Sequence, residues 1–299
     1  MRKKSYKKYG AFYVMLCLPV LLTFIYHYIP LFGVSIAFLD YKPALGFKKA
    51  EFVGMDNFIT IFSKPDFLNA IKNTIIIAFW KIVTGLAVPI TFSLLLNELR
   101  NSVHKRIAQT VVYLPHFISW ILAAGIIVEI MSPTGGLVNQ IVKLFGAEPI
   151  FFLGQPEMFK PILIITNVWK SFGWGTIIYM AALTGIDMNL YEAAAIDGAG
   201  RWKQTLHITL PGISSTIVLQ LILSMDNIMN AGFDQVYNLM NGLVKSSGDI
   251  IDTYVYRMGM ESAQFSISTA AGLFKSLVGG TLMIISYKLA HKATGYRPF

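Results

Sequence analysis

Tyr191-Glu-Ala-Ala-Ala-Ile-Asp-Gly-Ala-Gly-Arg-Trp-Lys-Gln-Thr-Leu-His-Ile-Thr-Leu-Pro211 is a charged, small-residue island between two long apolar stretches. Glu192, Ala193, Ala194 and Ala195 are strong helix formers, and Asp187 or Asn189 is placed to cap the start of a helix. Gly198 and Gly200 permit backbone angles that other residues resist, so the helix is expected to end there and the chain to turn back. Residues 202–210 then read as a second, amphipathic element, and Pro211 opens the next apolar stretch, where its missing donor costs nothing. The small alanines let another protein approach closely, while Glu192 and Asp197 offer charge to a basic or amide-rich groove.

The chain around this island has 299 residues, 55% of them hydrophobic and only 14% charged, with a mean hydropathy of +0.57. One water-soluble core could not hide that much apolar surface, so the implied solvent is a membrane. A spanning helix needs roughly 20 mostly apolar residues. Six windows are read as spans, at 11–39, 70–96, 107–131, 161–183, 211–230 and 269–290, flanked by tails at 1–10 and 291–299, with the island's loop at 187–210. Arg2, Lys3, Lys4, Lys7 and Lys8, then Arg100, Lys105 and Arg106, then Arg201 and Lys203, then Lys288, Lys292 and Arg297 fall on one side of an even-numbered bundle. Short-loop lysine and arginine mark the cytoplasmic side, so both termini and the 187–210 loop are expected there. The opposite loops, 40–69, 132–160 and 231–268, mix acids with lysines and are expected to cap the spans. The net charge of +9 is accordingly read as facing lipid headgroups and the cytoplasm, with no nucleic-acid partner.

The basic start followed by an apolar run imitates a secretory signal. The run at 12–39 exceeds a signal's apolar core and no Ala-x-Ala site closes it, so a retained first span is expected. Cys17, the single cysteine, cannot form an internal disulfide and reads as a small hydrophobe. Pro19, Pro30, Pro89 and Pro115 fall inside apolar windows and are candidate kinks. No Gly-x-x-x-x-Gly-Lys-Ser/Thr cradle is present, and the five histidines show no close metal-ligand spacing. Neither a Gly-x-Ser-x-Gly elbow nor a paired-carboxylate site is found, so no catalytic residue, metal or cofactor is expected on this chain.

The spacing Glu192-Ala193-Ala194, three residues, Gly198, nine residues, Ile208, one residue, Leu210-Pro211 resembles the EAA loop of permeases in binding-protein-dependent ABC importers. The longer form, with Asp197-Gly198-Ala199 and Trp202, is similar to the carbohydrate-importer branch, the maltose-type family. Gly54-Met-Asp-Asn-Phe58 with Phe62, Pro65, Phe67 and Asn73-Thr74, and Leu18-Pro19 with Tyr28, Pro30, Ala37-Phe38 and Asp40-Tyr41, agree with it. The latter group resembles the branch that moves oligosaccharides released from polysaccharides. The maltose-type permease itself carries extra leading spans and a large outer domain, and no counterpart of either is read here.

The resemblance implies an all-α, six-transmembrane-helix type I ABC importer permease in the cell membrane. Its EAA loop would be a coupling helix seated in a cleft of the ATPase subunit, with Glu192, Ala193, Ala194, Asp197, Gly198, Trp202, Leu210 and Pro211 carrying the contact. It further implies a second homologous permease, a dimer of ATPase subunits that bind ATP and Mg, and an extracytoplasmic solute-binding protein.

Gln220, Ser224, Asn227 and Asn230 recur near helical spacing in the fifth span, which puts amides and a hydroxyl on one broad face. Asn167, Trp169, Ser171, Phe172 and Trp174 set aromatic rings beside small polar groups in the fourth. Such groups suit a sugar, and the resemblance points the same way, since the maltose-type permease binds sugar in the corresponding spans. They equally suit helix-packing hydrogen bonds and an interfacial aromatic belt, and both readings stay open. Lys81, Lys170, Asp226 and Lys275 are candidate pathway charges in the outer half of the spans, with Lys170 and Asp226 as the leading pair. A surplus of positive charge along a cavity would favour an anionic sugar such as a uronate oligosaccharide. An ion-driven secondary transporter, a docking scaffold and an importer of phosphate, polyamine or amino acid are the competing readings.

Overall fold

The apolar stretches fold as helices because a chain in hydrocarbon must satisfy each backbone donor and acceptor within itself. A computed structural model of the chain describes residues 3–99 and 101–294, and at 3–8, 226 and 289–294 the backbone alone. In chain order the helices are α1 (Lys3–Thr23), α2 (Asp56–Ser63), α3 (Pro65–Glu98), α4 (Ser102–Tyr113), α5 (Trp120–Ile130), α6 (Leu137–Leu144), α7 (Pro156–Leu183) and α8 (Met188–Ile196). They continue with α9 (Arg201–Gln204), α10 (Leu210–Gly212), α11 (Ser214–Met225), α12 (Phe233–Leu239), α13 (Lys245–Gly248), α14 (Ile251–Tyr256) and α15 (Phe265–Thr294). A two-stranded antiparallel ribbon, β1 (Leu39–Asp40) against β2 (Glu51–Phe52), is a small departure from the all-helical expectation.

Most residues of each expected span lie in helices. Three runs, Tyr9–Phe38, Pro65–Glu98 and Phe265–Lys288, are long and apolar enough to cross a membrane, and two bent pairs bring the number to five if each is one crossing. The bends are 107° between Ser102–Phe117 and Trp120–Ile130, and 57° between Arg201–Gly212 and Ser214–Met225. The first alters the expectation of one run over 107–131. Pro115 lies in a 3-10 turn, Ile118 and Ser119 then adopt extended angles, and the Ser119 hydroxyl accepts from Leu122 N–H to start α5 afresh. Pro19 and Pro89 sit inside α1 and α3 without ending them, and Pro30 stands at the start of the 3-10 segment that extends α1. The fourth span, 161–183, lies within the 28-residue α7, which is long enough to cross and stands outside the three runs and two bent pairs named above.

The chain forms two compact units, one of Met1–Lys64 with Val255–Phe274 and one of Pro65–Tyr254 with Lys275–Phe299. In the first, Asn57 donates its amide to the carbonyls of Ala37 and Leu39 at 2.9 and 3.0 Å, and Phe38 meets Phe58 at a ring separation of 5.4 Å. Asn57 and Phe58 belong to the Gly54–Phe58 motif, so that motif has a folding reason of its own. In the second, α3 and α7 pack along one another, with Phe92 edge-on to Phe172 at 5.2 Å. Two apolar clusters hold this pair. One gathers Ile77, Ile127, Phe159, Leu163, Val236 and Val244; the other gathers Leu96, Tyr179, Met180, Leu183 and Ile213. Ile77 and Leu96 are about 28 Å apart along α3 at helical rise. In hydrocarbon these clusters gain chiefly from van der Waals packing.

Candidate functional site

Between the two clusters the second unit opens a cavity of about 290 Å³, near the lower end of ligand-site volumes. Its wall includes Lys81 from α3, Asn167 from α7, Ser224 from α11, Asn227 from the 3-10 turn after α11, and Asn230 and Gly232 just before α12. Polar groups within hydrocarbon are costly unless they meet water, protein or a ligand, and here they converge on one space. Ser224 donates to the Gln220 carbonyl at 2.6 Å, and Asn230 accepts from Gly232 N–H at 3.2 Å. Among the described residues, no hydrogen bond reaches the side-chain amides of Asn167 or Asn227, which keep their donors and acceptors for whatever enters. Lys81 Nζ donates to the carbonyl of Ala231 at 2.6 Å and to Oε1 of Gln235 at 2.5 Å.

Of the residues singled out in sequence, Trp169, Ser171, Trp174 and Gln220 are not among those lining this cavity. Trp169 follows Asn167 by two positions, which on a helix is the opposite face. The Trp174 ring stacks on His116 at 4.8 Å and 7°. Lys170 is buried, donates to the His116 carbonyl at 3.0 Å and stands 5.4 Å from the Trp120 ring, a cation–π contact. Lys275 pairs with Asp252 at 2.5 Å. The side chain of Asp226 lies outside the described residues. Of the four candidate pathway charges, Lys81 is the one described side chain that lines the cavity. Gln235, Ala231 and Gly232, in a stretch that sequence places in an outer loop, were not identifiable as its partners.

The 187–210 loop is built from local bonds. Asp187 accepts from Asn189 N–H at 2.9 Å and starts α8. At the other end Ala199 N–H reaches the Ala194 carbonyl at 2.8 Å and Gly198 N–H the Ala195 carbonyl at 3.1 Å, a Schellman stop that needs Gly198 at φ +77°. Gly200 has ordinary extended angles and caps α9, so of the two glycines only Gly198 requires the left-handed region. The second limb is one helical run, Arg201–Gly212, in which α9 passes through a π turn at Thr205–Thr209 into α10 with Leu210 and Pro211. Tyr191 Oη and Thr209 Oγ1, 3.0 Å apart, tie the two limbs, and Gln204 donates to the Ala199 carbonyl at 3.0 Å. Arg201 meets Glu98 at 3.4 Å, an exposed pair of little weight. No residue of α8 is buried; Glu192, Ala193 and Asp197 are exposed, as are Ile196 and Trp202 at 87% and 73%.

Residues 82–295 match the family described as binding-protein-dependent transport system inner membrane component. Protein LplB of Bacillus subtilis (strain 168) is 44% identical over 93% of this chain and 88% of its own length. The polygalacturonan/rhamnogalacturonan transport system permease protein YteP of the same organism is 42% identical over 94% and 87%. The crystal structure of a bacterial ABC transporter involved in importing the acidic polysaccharide alginate superposes with a TM-score of 0.91 at 35% identity, covering 97% of this chain and 98% of that one. A bacterial alginate transporter in complex with an alginate pentasaccharide-bound periplasmic protein gives a TM-score of 0.90 at 35% identity over 97% of both chains. The helices, the loop and these relatives together make the chain a member of the binding-protein-dependent transport system inner membrane component family, a multi-pass ABC-importer permease and a transport component rather than an enzyme.

Proposed function

We propose that this chain forms half of the translocation pathway for oligosaccharides derived from polysaccharides, acidic ones among them. The observation that carries this reading is the cavity, where two unengaged amides, a third amide, a hydroxyl and an ammonium face one space between helices α3, α7 and α11. Sugars present many hydroxyls that both donate and accept, and amides answer both needs, each bond contributing about 0.5–1.5 kcal/mol net. The cargo named for YteP and for the alginate transporter supports the choice of class.

In this reading the chain crosses the cell membrane six times, α7 included, with both termini and α8 in the cytoplasm. A second homologous permease completes the cavity and an extracytoplasmic binding protein delivers the sugar. The complex of an alginate transporter with its periplasmic protein supports that delivery route. ATP and Mg belong to a pair of ATPase subunits. Each receives one coupling helix, here α8 with Glu192, Ala193, Ala194, Asp197 and Gly198, flanked by Trp202, Leu210 and Pro211. Closure of the ATPase pair moves the coupling helices and switches the cavity between outward and inward access.

The test is ATP-dependent accumulation of trigalacturonate in proteoliposomes holding both permeases, the ATPase subunits and the binding protein. Accumulation that persists when ion gradients are collapsed and stops with an ATPase-dead partner is the expected result. Accumulation that collapses with the ion gradient and ignores the ATPase-dead partner would establish a secondary transporter instead.

A further inference from the structure

Lys81, Lys170 and Lys275 all lie within spans of the second unit, and the structure treats them differently. Lys170 is absorbed by a backbone carbonyl and an indole face, and Lys275 by a carboxylate. Among the described residues, Lys81, midway along the 34-residue α3, meets neutral acceptors, the Ala231 carbonyl and Gln235 Oε1. Among the described residues no carboxylate pairs with it. An ammonium has three donors, so two are engaged, and the third is left to the cavity that Lys81 lines.

Its acceptors are themselves fixed. Gln235 is fully buried, and its Nε2 donates to the Leu163 carbonyl at 2.8 Å and to Thr166 Oγ1 at 2.7 Å. Thr166 spends its own proton on the Ile162 carbonyl at 2.6 Å, so it can only accept from Gln235. The amide therefore has one permitted orientation, with Oε1 toward position 81, and an acceptor held there calls for a donor such as an ammonium. Gly232, at φ +90°, completes the fit: a Cβ there would lie 2.9 Å from Lys81 Nζ. Together these contacts fix the position of Lys81 Nζ in the cavity wall.

We propose that Lys81 reads the carboxylate of a uronate unit in the pathway and that Gln235 is its positioning residue. This rests on the oligosaccharide-permease reading above and deepens it to a charge preference at a named atom. The amides of Asn167 and Asn227 take sugar hydroxyls, which neutral and acidic sugars share, and Lys81 supplies what only the acid can use. A charge-assisted hydrogen bond in a water-poor cavity is roughly twice as strong as a neutral one.

The experiment measures binding to the purified permease–ATPase complex of trigalacturonate and of its fully methyl-esterified form, probes that share a backbone and differ in charge. The wild-type complex is expected to favour the acid by about tenfold or more. Lys81→Met and Lys81→Gln are expected to abolish that preference while still binding the ester, which shows the cavity intact. Gln235→Met is expected to lower the preference about threefold, again with the ester retained. A preference kept in both Lys81 variants overturns the assignment, and so does equal loss of acid and ester, which marks Lys81 as a support of the fold. An unchanged preference in Gln235→Met overturns the positioning role. Binding of neither probe by the wild-type complex overturns the pathway reading itself.

Discussion

The loop from Asp187 to Leu210 and the cavity around Lys81 are built in opposite ways. The loop is exposed and held by bonds between near neighbours: the Asp187 cap, the Schellman stop at Gly198 and the Tyr191–Thr209 tie. The cavity is walled by side chains from α3, α7, α11 and the segment before α12, brought together by packing of the spans. A rigid, exposed element suits handing force to another protein, and a convergent polar space suits holding a solute. Elements built so differently can be damaged separately: damage to the loop should change how ATP hydrolysis is converted to transport, while damage to the cavity should change affinity for sugar.

The largest effect expected is from Gly198→Val. A β-branched residue in the left-handed region costs on the order of 1–2 kcal/mol or more and undoes the stop that aims α8. ATP-dependent uptake in proteoliposomes should fall to background while the permease still inserts in the membrane, and Glu192→Lys, on the exposed face, should do the same. Uptake at wild-type level in both would remove the loop from the coupling step. Next comes the double variant Asn167→Ala with Asn227→Ala, whose two lost hydrogen bonds should weaken sugar binding to the complex about tenfold or more, with hydrolysis per sugar transported unchanged. Asp187→Ala removes a helix cap worth about 1 kcal/mol, and uptake is expected to drop a few-fold. The smallest effect on transport is expected from Lys275→Met, which leaves Asp252 without its partner. It should lower the thermal stability of the complex by on the order of 1–3 kcal/mol and leave the ratio of acid to ester binding as it was.

The same contrast explains what the sequence discloses. The first limb of the loop is legible residue by residue, because capping, glycine at the stop and alanine in between act over a few positions. The spans are legible as apolar windows, although the 107° break after Phe117 is not, since Pro19 and Pro89 sit in equally apolar windows and end nothing. For the cavity, the rule that polar groups in hydrocarbon need a purpose finds Lys81, Asn167, Ser224, Asn227 and Asn230. Trp169 and Trp174 do not line this cavity: Trp169 is out of helical phase with Asn167, and Trp174 stacks on His116. Gln235 has no local signal, because its meaning depends on Leu163, Thr166 and Lys81, which folding alone brings to it.

The coupling role of α8 is tested most directly by where its surface touches in the assembled importer. With Cys17 replaced by serine, a single cysteine at Ala195, exposed on α8, can carry a short photoactivated crosslinker. Adducts between this permease and an ATPase subunit, formed in the complete complex and changing in yield when ATP is bound, are the expected result. Adducts to lipid or to the other permease only, with none to an ATPase subunit in any nucleotide state, would contradict the account.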